Sequence, residues 1–180
     1  QLGVSGGEGG VDTPPRLELS LSSTGSVLDL GPRGALSADV DMQAKLESGA
    51  NKLAIDRLLV KTGRSTFEFE GSVGPRPASG APGEEHAYRY DLVSNGSTLA
   101  PLESPEPGLK FISRVAGIYL PDSTKLVADT IALRSGPAGE AVGTAAIEFA
   151  QGKAPGVLIA FTVHDMPVSH VKQLWPWFSA

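Results

Sequence analysis

A run of twelve residues alternates without a break between apolar and polar side chains, and it restricts the fold of this chain more than any other feature. From Leu36 to Glu47, apolar residues occupy every even position and polar or charged residues every odd one. Successive side chains of a β-strand point to opposite faces of a sheet, so this segment makes one apolar and one charged face. The pattern is typical of an antiparallel sheet that is solvated on one side only.

Other segments share this strand character and are separated by turn-forming residues. Alternation is already present at Leu17 and Leu19, and further strands are predicted at 52–61, 66–73, 87–93, 109–120, 125–134, 140–149 and 157–163. Turns are predicted at 62–65, 94–97, 121–123 and 135–139. Residues 109–116 also fit a short helix by the spacing of their apolar residues. The sequence therefore predicts a mainly β fold, an antiparallel meander forming a curved or partly open sheet with an apolar inner face.

The two ends differ from this β-rich middle. Residues 1–15 are rich in Gly and predict a flexible lead-in, whereas 16–163 form the predicted β-rich repeat domain, interrupted by a mobile loop at 74–85. In 164–180, Asp165 is the predicted N-cap of a short helix that an aromatic tail follows. That tail either packs in a core or forms an interface or membrane-proximal contact. We expect the chain to be a piece of a longer protein, cut within this last segment.

An internal repeat links two of the predicted strands. Residues 51–63 (NKLAIDRLLVKTG) align without a gap to residues 124–136 (TKLVADTIALRSG), at an offset of 73 that takes Lys52 to Lys125. In both copies the alternation changes parity at an aspartate, Asp56 or Asp129. One extra residue there, as in a β-bulge, would keep the apolar side chains on one face. The repeating unit is predicted to be a hairpin that extends a continuous apolar face, with chance similarity of two amphipathic strands as the alternative.

Composition removes several classes of function. The chain has 15 basic and 20 acidic residues, hence a net charge of −5, and no basic cluster, so a nucleic-acid partner is not expected. It has no cysteine, which excludes disulfides, thiol catalysis and zinc–thiolate sites. No cofactor and no metal site are predicted.

Few groups could do chemistry. The C-terminal segment offers four polar candidates, His164, Asp165, Ser169 and His170. Within one short helix they cannot adopt the geometry of a nucleophile, a base and an orienting group, so both histidines are predicted to be surface groups. Asp56 and Asp129 could form a paired-carboxylate site as in glycoside cleavage, but their equivalence in the repeat favours a structural role at the bulge. The chain is not predicted to be an enzyme.

Three features resemble the AsmA-like family of Gram-negative envelope proteins, in particular its large YhdP-like members. They are the repeated pattern (LAIDRLLVKTG and LVADTIALRSG), Leu99-Ala100-Pro101 ahead of the strand with Gly117 and Tyr119, and the tail MPVSHVKQLWP at 166–176. The resemblance runs from Leu36 to the C-terminus. It implies a periplasmic protein that is anchored to the inner membrane by a transmembrane segment outside this chain. Phospholipid acyl chains are the implied ligand, other envelope proteins are further candidate partners, and no catalytic residue or cofactor is implied.

The residues and the resemblance together lead to one hypothesis, a hydrophobic β-groove that carries phospholipid for outer-membrane biogenesis and barrier maintenance. The residues proposed to contact lipid on the inner face are Leu36, Ala38, Val40, Met42, Leu53, Ile55, Leu58, Val60, Phe67, Phe69, Leu126, Ile131 and Leu133. For each of them, ordinary packing in the core of a sheet is the alternative. The rival hypotheses for the whole chain are a non-catalytic exported β-sandwich, serving as a binding or structural module, and a hydrolase of β architecture.

Overall fold

The structure is a computed structural model that describes residues 2–7, 16–29, 35–47, 51–77, 86–100, 107–149 and 155–174. These ranges contain ten β-strands and one α-helix. The strands are β1 (Leu2–Gly7), β2 (Arg16–Asp29), β3 (Ala35–Glu47), β4 (Lys52–Thr62), β5 (Ser65–Pro75), β6 (Tyr88–Leu99), β7 (Leu109–Leu120), β8 (Lys125–Ser135), β9 (Gly139–Glu148) and β10 (Gly156–His164), and the helix is α1 (Val168–Leu174).

All ten strands belong to one sheet in which each strand pairs with its neighbours in the sequence. The pairing is antiparallel throughout, the order in the sheet is β1 to β10, and among the described residues β1 and β10 do not pair with each other. The predicted fold class, a mainly β antiparallel meander with a short C-terminal helix, is confirmed. The segment that fitted either a strand or a helix is strand β7, paired with both β6 and β8.

Two β-bulges lie at the aspartates where the sequence pattern changes parity. On β4, Ile55 lies opposite Gly71 and Leu58 opposite Phe69, so β4 uses three steps where β5 uses two. The extra residue falls next to Asp56, and β8 repeats the arrangement at Asp129. Each bulge keeps the apolar residues before and after it on the same face of the sheet.

A further bulge replaces a predicted turn. Residues 94–97 (Ser-Asn-Gly-Ser) lie within the continuous strand β6 and do not form the hairpin that Asn-Gly predicts. Ser94 lies opposite Ser113 and Ser97 opposite Phe111, so β6 carries one extra residue here. The hydroxyl oxygens of Ser94 and Ser97 are 2.6 Å apart, and Ser97 also accepts a hydrogen bond from the N–H of Glu68. These hydrogen bonds satisfy polar groups that the interrupted strand pairing leaves without a partner. They therefore favour the bulge over a hairpin turn.

The same serine bulge occurs in β2, and it enlarges the repeat from the predicted hairpin to a unit of four strands. Ser23 and Ser26 flank a register shift, and their hydroxyl oxygens are also 2.6 Å apart. Strands β2–β5 therefore correspond to β6–β9. The backbone agrees at the aligned positions Asn51 and Thr124, since each of these non-glycine residues has a φ of 47°. Because side chains rarely adopt such a φ, a coincidence at aligned positions favours a true repeat over chance similarity.

Burial differs between the two sides of the sheet. We call the inner face the side that carries Ala44, Ile55, Tyr90 and Phe111, whose exposed fractions are 3, 6, 6 and 8%. The register places the odd residues of β2 up to Ser23 and the even residues of β3 on this side. Charged residues and most exposed positions of β2–β9 lie on the opposite, outer face. The alternation of the sequence is thus reproduced as one enclosed and one solvated side.

The two ends of the chain depart from the predictions. Leu2–Gly7 of the predicted flexible lead-in form β1, because Leu2 and Val4 continue the alternation and lie opposite Leu21 and Leu19 of β2. Residues 74 and 75 of the predicted mobile loop are the last two of β5. Residues 8–15, 78–85 and the aromatic tail at 175–180 lie outside the described residues.

The cap of the C-terminal helix is also corrected. The carbonyl oxygen of Pro167 accepts hydrogen bonds from the N–H groups of His170 (2.9 Å) and Val171 (3.1 Å), so Pro167 takes the position predicted for Asp165. Asp165 has a φ of 48° and turns the chain between β10 and α1. Aspartate is among the residues that tolerate this left-handed conformation best, which explains its place there.

Gly71 provides a test of the bulge geometry. Its φ is +150°, and a Cβ atom there would lie 2.0 Å from the carbonyl oxygen of Asp91 on β6. We expect Gly71→Ala to lower the free energy of unfolding by about 2 kcal/mol or more, because backbone atoms must move. Gly96→Ala is the control, since nothing lies within 4 Å of its added Cβ, and should change stability by less than about 0.5 kcal/mol. Urea unfolding measures the free energy of unfolding of both variants. Equal losses would contradict the close approach of β6 to Gly71.

Candidate functional site

The inner face is the candidate site, and its lining is arranged in rows that cross the strands. Side chains of directly opposed residues point to the same side of a sheet, so the pairing register gives the rows. The first two rows across β3, β4 and β5 are Val40–Val60–Phe67 and Met42–Leu58–Phe69. Their members are half-buried, so part of each side chain remains accessible. The rows form an apolar surface with no strand or helix of the described residues packed over its centre.

All thirteen residues predicted for the lining lie on the inner face by register. Ile55 is buried, and the other described side chains of this set are half-buried; for Leu36 only the backbone position is described. Ten of these residues lie together on β3, β4 and β5. The remaining three, Leu126, Ile131 and Leu133, lie on β8, beyond the intervening strands β6 and β7.

The central part of the lining was missed by sequence reasoning. It is formed by inner-face residues of β6 and β7, namely Tyr90, Leu92, Leu99, Leu109, Phe111 and Val115. In β6 the turn-forming residues Ser94-Asn95-Gly96-Ser97 predict a turn, and the strand that continues through them was therefore not expected. The similarity between Ser23-Thr24-Gly25-Ser26 and Ser94-Asn95-Gly96-Ser97 is the signal that could have found it.

Two phenylalanines meet across the serine bulge. The rings of Phe67 on β5 and Phe111 on β7 have centroids 6.2 Å apart and an interplanar angle of 58°. Between them β6 presents Ser97, which is fully buried. A small side chain at this position allows the rings of two non-adjacent strands to approach each other. The tilted contact lies within the range that favours aromatic pairs and contributes about 0.5–1.5 kcal/mol beyond the area buried.

Tyr90 links the three strands β6, β7 and β8, in a part of the inner face away from the Phe67–Phe111 contact. Its hydroxyl donates a hydrogen bond of 3.0 Å to the carbonyl oxygen of Val127 on β8, so the side chain crosses over β7. It crosses at Gly117, where an added Cβ would lie 2.8 Å from the Tyr90 oxygen. Burial, and then the charge of Asp129, raises the pKa of Tyr90 to about 12. The phenol therefore stays protonated, and keeps donating its hydrogen bond, up to a higher pH than an ordinary tyrosine.

The outer face carries ion pairs between adjacent strands. Lys45 contacts Asp56 at 2.6 Å, and Arg57 contacts Glu68 at 2.8 Å. Arg114 forms two hydrogen bonds, of 2.9 and 2.7 Å, with the carboxylate of Asp91, and this contact lowers the pKa of Asp91. All these groups are substantially exposed, so each pair contributes little to stability. Their main effect is to keep the outer face solvated.

The groups considered for catalysis are not brought together. Asp56 and Asp129 lie on β4 and β8, four strand spacings or about 19 Å apart, which is too far for a carboxylate pair. His164 and Asp165 are exposed. His170, predicted to be a surface group, is half-buried instead, because its Nδ1 lies 3.0 Å from the hydroxyl of Ser135 at the end of β8. Ser135 is only 1% exposed, so this contact anchors α1 to the sheet.

Comparison with known proteins adds no relative. No protein-family model matches the chain, and neither a curated protein nor a solved structure is significantly similar to it. Within the part of the chain that the structure describes, no cluster of three potential metal-ligating side chains is present. In that same part, no helix combines the length and apolar character needed to cross a membrane.

The raised pKa of Tyr90 predicts a loss of stability at high pH. Folding favours the protonated phenol, so the stabilisation is complete below the unfolded-state pKa of about 10 and is lost as the pH rises through about 12. We expect Tyr90→Phe to lose less unfolding free energy than the wild type over this interval, because the linked group is gone. Chemical denaturation at a series of pH values measures this difference. If the stability of Tyr90→Phe and that of the wild type changed with pH in the same way, the raised pKa of Tyr90 would be contradicted.

Proposed function

We propose that this chain is part of a periplasmic protein that carries phospholipid acyl chains along the hydrophobic inner face of its sheet. The observation that carries the proposal is the continuous apolar face of one open sheet. Many of its apolar side chains from β3 to β9 are half-buried and remain partly accessible, whereas Ala44, Ile55, Tyr90 and Phe111 are buried, and none of the described elements packs over its centre. A continuous apolar surface that crosses several strands normally has to be covered by another layer or by a ligand.

The energetics of such a surface suit an acyl chain. Each methylene group removed from water stabilises the bound state by about 0.8 kcal/mol, without requiring a directed contact. The lining offers branched aliphatic side chains and the Phe67–Phe111 pair, which supply contact area of this kind. The ion pairs of the outer face keep the other side of the same sheet in water.

A β-sandwich serving as a binding or structural module is the second candidate. A sandwich buries its apolar faces between two sheets about 10 Å apart. The described strands instead form one sheet, with each strand contacting its sequence neighbours. This arrangement favours the lipid groove over the sandwich.

The resemblance of the sequence to the AsmA-like family supports a proposal for the place of the protein in the cell. We propose that the chain lies in the periplasm and that an anchor in the inner membrane, outside this chain, holds it there. Phospholipid is then supplied from a membrane and used in outer-membrane biogenesis. Other envelope proteins are the proposed protein partners.

The first test asks whether the chain binds lipid at all. The protein is purified from bacterial cells without detergent and extracted with organic solvent, and the extract is analysed by mass spectrometry. We expect phospholipid at a molar ratio near one or above. A chain that is folded by circular dichroism and carries no lipid, even after incubation with phospholipid vesicles, would contradict the proposal.

The second test places a charge in the lining. Val60→Asp adds a carboxylate at a half-buried inner-face position, and we expect it to reduce bound lipid at least about tenfold, because burying an unpaired charge costs several kcal/mol. Gln43→Asp adds the same charge at an exposed outer-face position and should leave lipid binding unchanged, as should Asp41→Lys. Thermal unfolding checks that the variants are folded. Equal lipid binding by Val60→Asp and Gln43→Asp would show that the inner face is not the binding surface.

A further inference from the structure

The tyrosines of this protein are gathered at one place on the inner face. The sequence contains three tyrosines, Tyr88, Tyr90 and Tyr119, and all of them belong to strands β6 and β7. Tyr88 and Tyr119 lie directly opposite each other, and Tyr90 lies opposite Gly117, one step further along the ladder. Tyr90 uses its hydroxyl within the sheet, in the hydrogen bond to Val127. Tyr88 and Tyr119 are 42 and 37% exposed, far more than most of the lining around them.

The pair formed by β6 and β7 changes from polar to apolar along its length. Just outside the tyrosines, His86 and Asp122 are exposed and their side chains approach to 3.1 Å. The exposed phenols of Tyr88 and Tyr119 come next. Further along, the half-buried Leu92 lies opposite the half-buried Val115, and the buried serines Ser94 and Ser113 lie opposite each other. The buried Phe111 closes the series next to Phe67. An amphiphile has the same order of groups, a charged or polar head, a hydrogen-bonding junction and an apolar chain.

The dimensions also fit. Tyr119 and Phe111 are eight residues apart on β7, which corresponds to about 27 Å of extended strand. One leaflet of a bilayer contributes about half of the hydrocarbon thickness of about 30 Å, or about 15 Å. The path beyond the tyrosines, which is apolar except for the buried serines Ser94, Ser97 and Ser113, is therefore long enough for one acyl chain in an extended conformation.

Phenols are suited to the boundary between the polar and apolar parts of a lipid. A tyrosine ring packs against hydrocarbon while its hydroxyl donates a hydrogen bond, which explains why tyrosine is enriched at membrane interfaces. In a glycerophospholipid, the acceptors at that boundary are the two ester carbonyl oxygens. An ether-linked lipid with the same headgroup lacks these carbonyls.

We propose that Tyr88 and Tyr119 form a subsite for the ester carbonyls of a glycerophospholipid, with the acyl chains directed along β6 and β7 towards Phe67 and Phe111. This subsite rests on the proposed lipid-carrying function and gives the bound lipid a direction. The headgroup then lies at the end of the strand pair that carries His86 and Asp122.

The experiment is a competition between two lipids. The whole chain is incubated with vesicles containing equal amounts of ester-linked and ether-linked phosphatidylglycerol with chains of equal length. The protein is then separated from the vesicles, and the ratio of the two lipids bound to it is measured by mass spectrometry. Three proteins are compared: the wild type, the double variant Tyr88→Phe/Tyr119→Phe, and Thr144→Val. Thr144 carries an exposed hydroxyl on the outer face of β9 and controls for the loss of a surface hydroxyl.

We expect the wild type and Thr144→Val to bind the ester lipid about three- to tenfold in excess, as one or two hydrogen bonds would produce. The double variant should bind a similar total amount of lipid with a ratio near one, since it keeps both rings. Its thermal unfolding, compared with that of the wild type, checks that it is folded. A wild-type ratio of one, or an ester preference that survives in the double variant, would overturn the subsite while the lipid-carrying function stands. If the wild type binds neither lipid, both proposals fail.

Discussion

Keeping one parity of side chains on one face is the constraint on which the rest of this structure depends. A shift of one residue in a strand exchanges its two faces, so an uncorrected extra residue would send Leu58 and Val60 into water and bring Arg57 inside. The bulges absorb this extra residue at Asp56 and again at Asp129. The serine bulges do the same for β2 and β6, and their hydroxyl pairs supply hydrogen bonds where the ladder is interrupted. The continuous inner face is therefore a consequence of a few irregular positions as much as of the regular strands.

Burial on this face comes from neighbouring strands, because no second layer is packed on it within the described residues. Two positions of the repeat demonstrate this. Leu92 on β6 lies opposite Gly71, and Ile159 on β10 lies opposite Ala145, the residue of β9 that corresponds to Gly71. Leu92 has strands on both sides and is half-buried, whereas β10 pairs only with β9 in the described sheet and Ile159 is 50% exposed. A lining protected mainly by its lateral neighbours stays open above, as the proposed binding of an acyl chain requires.

The sequence was informative where alternation is regular and where an irregularity occurs twice. The strands from Leu36 onwards and the bulges at Asp56 and Asp129 could be predicted, because period and parity shift are visible in the residues. The bulge at Asn95 could not be separated from a hairpin turn, because Asn-Gly favours both and the choice depends on which residues β7 offers as partners. The hydrogen bond from Tyr90 across Gly117 depends on contacts between strands that are distant in the sequence, and no local pattern encodes it.

A repeated open face also has a consequence for how a lipid could move. In a closed pocket, a ligand leaves by giving up most of its contacts at once. On an apolar face that crosses many strands, a shift by one strand spacing, about 4.8 Å, exchanges apolar contacts for other apolar contacts, so the net change in free energy is small even though each methylene contributes about 0.8 kcal/mol. The serines of the β6 bulge are buried beneath larger neighbours and do not interrupt the apolar surface, as shown by the contact of Phe67 with Phe111 past Ser97. In such an arrangement the proposed tyrosine subsite is the exception, since the directed hydrogen bonds proposed for it would favour one position of the lipid over the others. Movement along the face and a preferred resting position are then produced by different residues, and a substitution can change one without the other.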